Sequence, residues 1–270
     1  MKKINYPSVL TIAGTDPSGG AGIQADIKVI SATGCYAASV ITALVAQNTQ
    51  GVQAIEEVSP NFVKKQLESV FSDLTINAVK IGMLHNENIM EIVSHALAVY
   101  KPKQVVLDPV MFAKSGHCLL NANSILFLKN TLFPLVSLIT PNLPEAECIA
   151  EVNITSIDEM ANAARMIGKQ HKVNVLIKGG HMNNKLSSDV LYSFINNKLT
   201  WFHADRIHTN NTHGTGCSLS SAIASFLAQG YNVIDAISMA KNYLTKAIQS
   251  GSQFTIGRGC GPIDHFYYLR

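Results

Sequence analysis

The feature that most limits the folds open to this chain is the recurrence of short β-branched apolar runs, each coupled to a helical pattern. VLTIA (9–13) leads to a helix from Gly22, AVKIGM (78–83) to one after His85, VVLDPV (105–110) to one near Asn121, and SLIT (137–140) to one after Asn142. VNVLIKGG (173–180) follows a helix opened by the capping-box pair Ser156 and Glu159. Alternation of this kind implies βαβ units, and hence an α/β fold with a central, mostly parallel sheet and helices on both faces. Ligands in such a fold sit at the carboxyl ends of the strands, so the chemistry belongs in the strand-to-helix loops. Near the end, DVLYSFINNKLTWFHADRIH (189–208) reads as an antiparallel hairpin turning at Asn196-Asn197, followed by helices around 219–228 and 233–249.

No linker, low-complexity segment or internal repeat interrupts the pattern, so residues 1–270 read as one domain. At 47% hydrophobic and 14% charged residues, the chain has ample material for one large core. Its net charge of +3 is mild and its Lys and Arg are scattered, which argues against nucleic-acid or acidic-lipid partners and suits small anionic ligands. The N-terminal apolar segment is too short for a secretory signal, and no run approaches the roughly 18 residues of a membrane helix. The five cysteines, an odd number without a CxxC pair, argue against a disulfide framework or a zinc cluster and fit a reducing cytoplasm.

Two loops stand out. Gly14 to Gly22 (GTDPSGGAG) follows the first strand and opens a helix, where glycine lets backbone approach a ligand and helix-terminal amides favour anions and polar substrates. It is not a P-loop, because Gly20 stands where the lysine is needed. Gly20-x-Gly22-x-x-Ala25 matches the dinucleotide fingerprint only nominally, lying inside the coming helix and lacking the later acidic residue. The second loop, Asn211 to Cys217 (NTHGTGC), precedes an amphipathic helix. Gly214, Thr215 and Gly216 would expose successive amides able to hold the charge on a transferring phosphoryl group. Cys217 falls in the first helical turn, where the dipole is expected to lower its pKa and fit it to take a proton from a substrate hydroxyl. For an arbitrary cysteine, packing is the commoner role. His213 has no assigned role, and the nine histidines lack the pairing of a metal-binding helix.

Asp108, Glu145 and Lys178 fall at strand ends of the same sheet and jointly fit a Mg-nucleotide site, with carboxylates for the metal and a lysine for phosphate. Asn142 and Glu145 also form a capping box that needs no ligand.

Seven segments carry a family resemblance: TIAGTDPSGGAGIQADIK, ITALVAQNTQGV, DPVMFAKSG, TPNLPEAE, VLIKGGH, NTHGTGCSLSSAIA and GCGPIDHF. In this order, over essentially the whole chain, they resemble the hydroxymethylpyrimidine/phosphomethylpyrimidine kinases of thiamine biosynthesis, members of the ribokinase-like superfamily. The resemblance implies ATP, Mg²⁺ and a homodimer. It implies that Cys217 is the base for the substrate hydroxymethyl group, that Gly214, Thr215 and Gly216 form the anion hole, and that Lys178 lies near the ATP phosphates with Asp108 and Glu145 near Mg²⁺. It sets Gln47 against the pyrimidine ring, with Gly14, Asp26 and Met83 also at the substrate. His117 and Cys118, after Lys114-Ser115-Gly116, vary the local pattern without touching an assigned role. The nearest rival is a pyridoxal or pyridoxine kinase or a dual-specificity relative. Vitamin B6 kinases typically carry aspartate at the position of Cys217, which favours the pyrimidine. A binding module without chemistry would predict a damaged GTGC loop or a missing Lys178, and neither is seen.

Overall fold

The structure is a computed structural model describing residues 6–112, 120–180, 182 and 185–270. Lys114 to Cys118 and His181, noted above in their motifs, lie outside the described residues. Strands β1 (Ser8–Ala13), β2 (Tyr36–Ile41), β5 (Ala78–Ile81), β6 (Val105–Leu107), β7 (Leu138–Ile139), β8 (Asn174–Lys178), β9 (Leu186–Ser193) and β10 (Lys198–Asp205) form one sheet in the order β10-β9-β8-β7-β6-β5-β1-β2. From β2 to β8 every neighbouring pair is parallel. The β9–β10 hairpin, expected from the Asn-Asn turn, adds an antiparallel edge to β8.

The strands joined by helices read as continuous apolar runs because both faces are covered. On one face Leu10, Ile12, Val79 and Ile81 meet α2 (Pro60–Asp73), α3 (Glu87–Tyr100), α4 (Ala122–Thr131), α5 (Leu143–Ala150) and α6 (Ile157–His171). On the other, Val9, Ala78 and Val106 meet α1 (Gly22–Ala32), α7 (Thr215–Ala228) and α8 (Val233–Gly251). Each fully buried Ile or Leu contributes on the order of 1.5–3 kcal/mol, so these two layers hold the strand ends in fixed relation. Both capping boxes form, Asn142 with Glu145 at α5 and Ser156 with Glu159 at α6.

One apolar run is divided between two sheets. The apolar run SVITALVA is not a single strand. It leaves the large sheet after Ile41 and enters a separate two-stranded antiparallel sheet made of β3 (Ala43–Asn48) and β4 (Gly51–Glu57). The switch sits at buried Thr42, whose N–H donates to Ala13 O and whose hydroxyl donates to Met83 O at 2.7 Å. The arm thereby brings Gln47 over the carboxyl ends of the strands. No helix among the described residues is long and apolar enough to cross a membrane.

Candidate active site

The two glycine loops meet above the sheet. Gly214 caps α7 with φ 76°, a left-handed conformation that glycine adopts without strain, and a Cβ there would stand 1.7 Å from Gly20 O. The contact is backbone to backbone, which explains why both loops need glycine where they touch. Gly214 thus sets the N-terminal end of α7 against the first loop. A Cβ on Gly216 would lie 3.3 Å from Lys178 Nζ and 3.5 Å from Asp108 Oδ2. Lys178 and Asp108 are themselves paired at 2.7 Å, with Thr140 donating to the same Asp108 oxygen at 3.2 Å. The ends of β6, β7 and β8 therefore meet the start of α7.

Glu145 joins this group. Its Oε2 accepts from the Asn142 amide at 2.7 Å, and the Met111 amide also donates to it. Burial pushes its carboxyl up to about 7, opposed by Lys178 and reinforced by Asp108. Two buried carboxylates share one ammonium here, an excess of negative charge made of hard oxygen donors. That donor set suits Mg²⁺, which binds through one or two carboxylates and keeps several waters. Among the described residues no group of three or more His, Cys, Asp and Glu forms a complete metal cage.

The environment of Cys217 corrects one expectation. Its thiol accepts from the Gly22 amide and faces Lys80, yet it is pushed up to about 11, chiefly by burial and further by Asp26 and Asp108. Desolvation outweighs the helix terminus, so the free protein holds a neutral thiol at pH 7.

Asp26 is a second correction. Rather than lining a substrate pocket, its side chain is completely buried, and both its oxygens are taken. Lys80 donates to them at 2.9 and 2.8 Å, Thr11 to Oδ2 at 2.6 Å, and Ser221 to Oδ1 at 2.8 Å. Thr11 and Lys80 are register partners on β1 and β5. Ser221 lies one helical turn after Cys217, so this network pins the start of α7 to the sheet. Lys80, buried opposite Asp26 and near the Asp108 carboxylate, is raised well above the usual lysine range despite desolvation. A lysine inside the apolar run AVKI was the available signal for it.

Asp189 plays a matching part beneath Lys178. It accepts from the Gly179 amide at 3.0 Å and from buried Lys241 of α8 at 2.6 Å.

The first loop also differs from expectation. Its amides do not stand open for an outside anion, because buried Asp16 occupies them: Ser18 N at 2.9 Å, Gly20 N at 3.2 Å and Ala21 N at 2.8 Å all donate to its carboxylate. Asp16 was missed in the sequence because an aspartate in a Gly/Pro turn is an ordinary turn former. At the rim, a Cβ on Gly14 would meet Met83 Cε at 3.2 Å and Val45 Cγ2 at 3.7 Å. The structure thus brings Gly14 and Met83 together beside the β3 arm. Gln47 reaches from that arm to His213, 3.2 Å away, at the entrance to the second loop.

A profile of the phosphomethylpyrimidine kinase family matches residues 16–264. The chain belongs to this family. It is 47% identical over 268 residues to the hydroxymethylpyrimidine/phosphomethylpyrimidine kinase of Escherichia coli K12, covering 99% of each chain. It is 46% identical to the thiamine biosynthesis bifunctional protein of Geobacter sulfurreducens, over 96% of this chain and 52% of that one. Among solved structures, an ADP complex of pyridoxal kinase from Bacillus subtilis superposes with a TM-score of 0.90 at 32% identity, covering 98% of this chain and 99% of that one. The protein is accordingly a kinase of the ribokinase-like fold, as the seven segments implied.

Proposed function

We propose that the protein phosphorylates 4-amino-5-hydroxymethyl-2-methylpyrimidine and then its monophosphate, with ATP as donor, on the route to thiamine. The observation that carries this reading is the placement of Gly216 and Cys217, at the start of α7, beside Lys178 and Asp108, an arrangement suited to phosphoryl transfer with a thiol in the place of the base. The 47% identity to the Escherichia coli pyrimidine kinase, set against 32% to the pyridoxal kinase, supports the pyrimidine as acceptor.

In this reading the α7 amides hold charge on the transferring phosphoryl group, and Lys178 neutralises phosphate oxygens from its strand end. Asp108 and Glu145 would hold Mg²⁺, which supplies positive charge to the phosphates. Cys217 takes the hydroxymethyl proton while the substrate oxygen forms its bond to phosphorus and the bond to the leaving ADP oxygen breaks. The Cys217 thiol is neutral in the free protein, so it can take that proton only after losing its own to solvent, a loss that positive charge beside Asp108 would favour against the burial that opposes it. Gln47, Gly14 and Met83 bound the acceptor side, while Asp26 acts from beneath by bracing α7. The second phosphorylation places an anion where a hydroxyl stood, which calls for some movement of substrate or loop. We further propose a homodimer, for which the exposed Leu44 and Val52 of the β3–β4 arm offer apolar surface, working in the cytoplasm.

A pyridoxal kinase activity is the second reading, favoured by the TM-score of 0.90. ADP release with Mg-ATP and either hydroxymethylpyrimidine or pyridoxal, compared with Cys217→Ala, separates the two. Pyrimidine-dependent turnover lost in the variant is expected. Turnover with pyridoxal alone transfers the protein to the second reading, and silence with both overturns the assignment of activity.

A further inference from the structure

His213 sits between the two halves of the site and is fixed from every side. It is buried, its backbone N–H donates to Gly261 O at 3.0 Å, and it bridges to Pro262. Its ring lies against Gly20, where a Cβ would stand 2.4 Å from His213 Cδ2. Its Nε2 is 2.7 Å from Asp16 Oδ2 and 3.2 Å from the side-chain amide nitrogen of Gln47.

These two contacts make opposite demands on one nitrogen. Asp16 accepts from three backbone amides and from the Ser18 hydroxyl at 2.7 Å, and with His213 beside it the carboxyl is held down at about 2 although burial opposes this. The carboxylate is therefore ionised and can only accept, so Nε2 carries its proton and donates to it. A donating Nε2 has no lone pair for an NH₂ group. The nitrogen and oxygen of a glutamine amide are isosteric and exchange by a flip about the terminal bond. Only with Oε1 turned to His213 does the contact become attractive, as the second branch of a shared N–H.

We infer that His213 is a positioning residue that fixes the amide of Gln47, holding its oxygen inward and leaving its NH₂ group to read the lone pair of a ring nitrogen in the acceptor substrate. The inference deepens the proposed function and rests on its placement of Gln47 at the heterocycle. Asp16 is part of the same device: it orders the first loop through its amides and, through His213, sets which end of Gln47 faces the substrate. The register irregularity between Ala46 and Gln47 in β3 falls at the residue so aimed, the usual place for a bulge beside a site.

The test is a double-mutant cycle of His213→Phe and Gln47→Ala, read as KM for the heterocyclic alcohol, KM for ATP and kcat, with acceptor binding by calorimetry as a second readout. Phenylalanine keeps a flat ring against Gly20 but cannot donate. His213→Phe is expected to raise the acceptor KM and Kd about tenfold, the loss of one well-placed hydrogen bond, with KM for ATP changed less than twofold. The double variant is expected to bind the acceptor no worse than Gln47→Ala alone, because the two residues act as one unit. Independent, multiplying effects, or a loss spread equally over ATP and acceptor, would overturn the inference and leave His213 a packing residue. The cycle is run with whichever acceptor the wild-type protein turns over. Activity on pyridoxal alone would therefore refute the pyrimidine reading while the same cycle still judged His213.

Discussion

Replacing Lys80 by methionine removes the ammonium from a completely buried pair and leaves Asp26 with the two hydroxyls of Thr11 and Ser221. Two charge-assisted bonds, at 2.9 and 2.8 Å, are lost and nothing from solvent can replace them. At about 1.5–3 kcal/mol each, the loss falls in the range of about 3–5 kcal/mol seen when one partner of a buried pair is removed. For a chain of this size that corresponds to a fall in Tm of roughly 10 °C. Thermal unfolding followed by circular dichroism measures it. The companion variant Lys80→Met/Asp26→Asn removes both charges and keeps an acceptor for the hydroxyls, so it should recover at least half of the loss. A fall below about 2 °C in the single variant, or a double variant as unstable as the two singles summed, would show that the pair is not the joint between α7 and the sheet described here.

Two further outcomes follow from the same geometry. Because Glu145 is raised from 4.5 to about 7 by burial, the folded protein binds the extra proton between those values. Metal-free stability should therefore fall by roughly 3 kcal/mol as pH rises across that window. Melting curves from pH 5 to 8 should lose this slope in Glu145→Gln, and Mg²⁺ should restore the wild type at pH 8. Gly214→Ala must displace Gly20 O, 1.7 Å from the new Cβ, in a backbone at φ 76°. A shift of about an ångström at the start of α7 should lower kcat about 100-fold, while a kcat within threefold of wild type in steady-state assays would refute the tight contact.

Much of the fold could be read from the sequence because its signals are local. Strand runs, capping boxes at Asn142 and Ser156, and the Asn196-Asn197 turn each lie within a few residues of the element they define. The split of SVITALVA at Thr42 was hidden because a strand that changes sheets stays apolar throughout. What holds it, the Ala13 and Met83 carbonyls, lies far along the chain. The loops bearing Cys217, Lys178, Asp108 and Glu145 were legible for the same local reason, each closing a strand or opening a helix. Asp26, Asp16 and His213 were misread or passed over, since what defines them is a partner 54 or 197 residues away. The Cys217 thiol was misjudged because position on a helix is visible in sequence and burial is not.

That thiol bears on how the protein behaves between turnovers. Alkylation and oxidation of a cysteine both proceed through the thiolate. With its proton retained up to about pH 11 in the free protein, Cys217 is shielded from both while the site is empty, so burial of the sulfur preserves the thiol until substrates arrive.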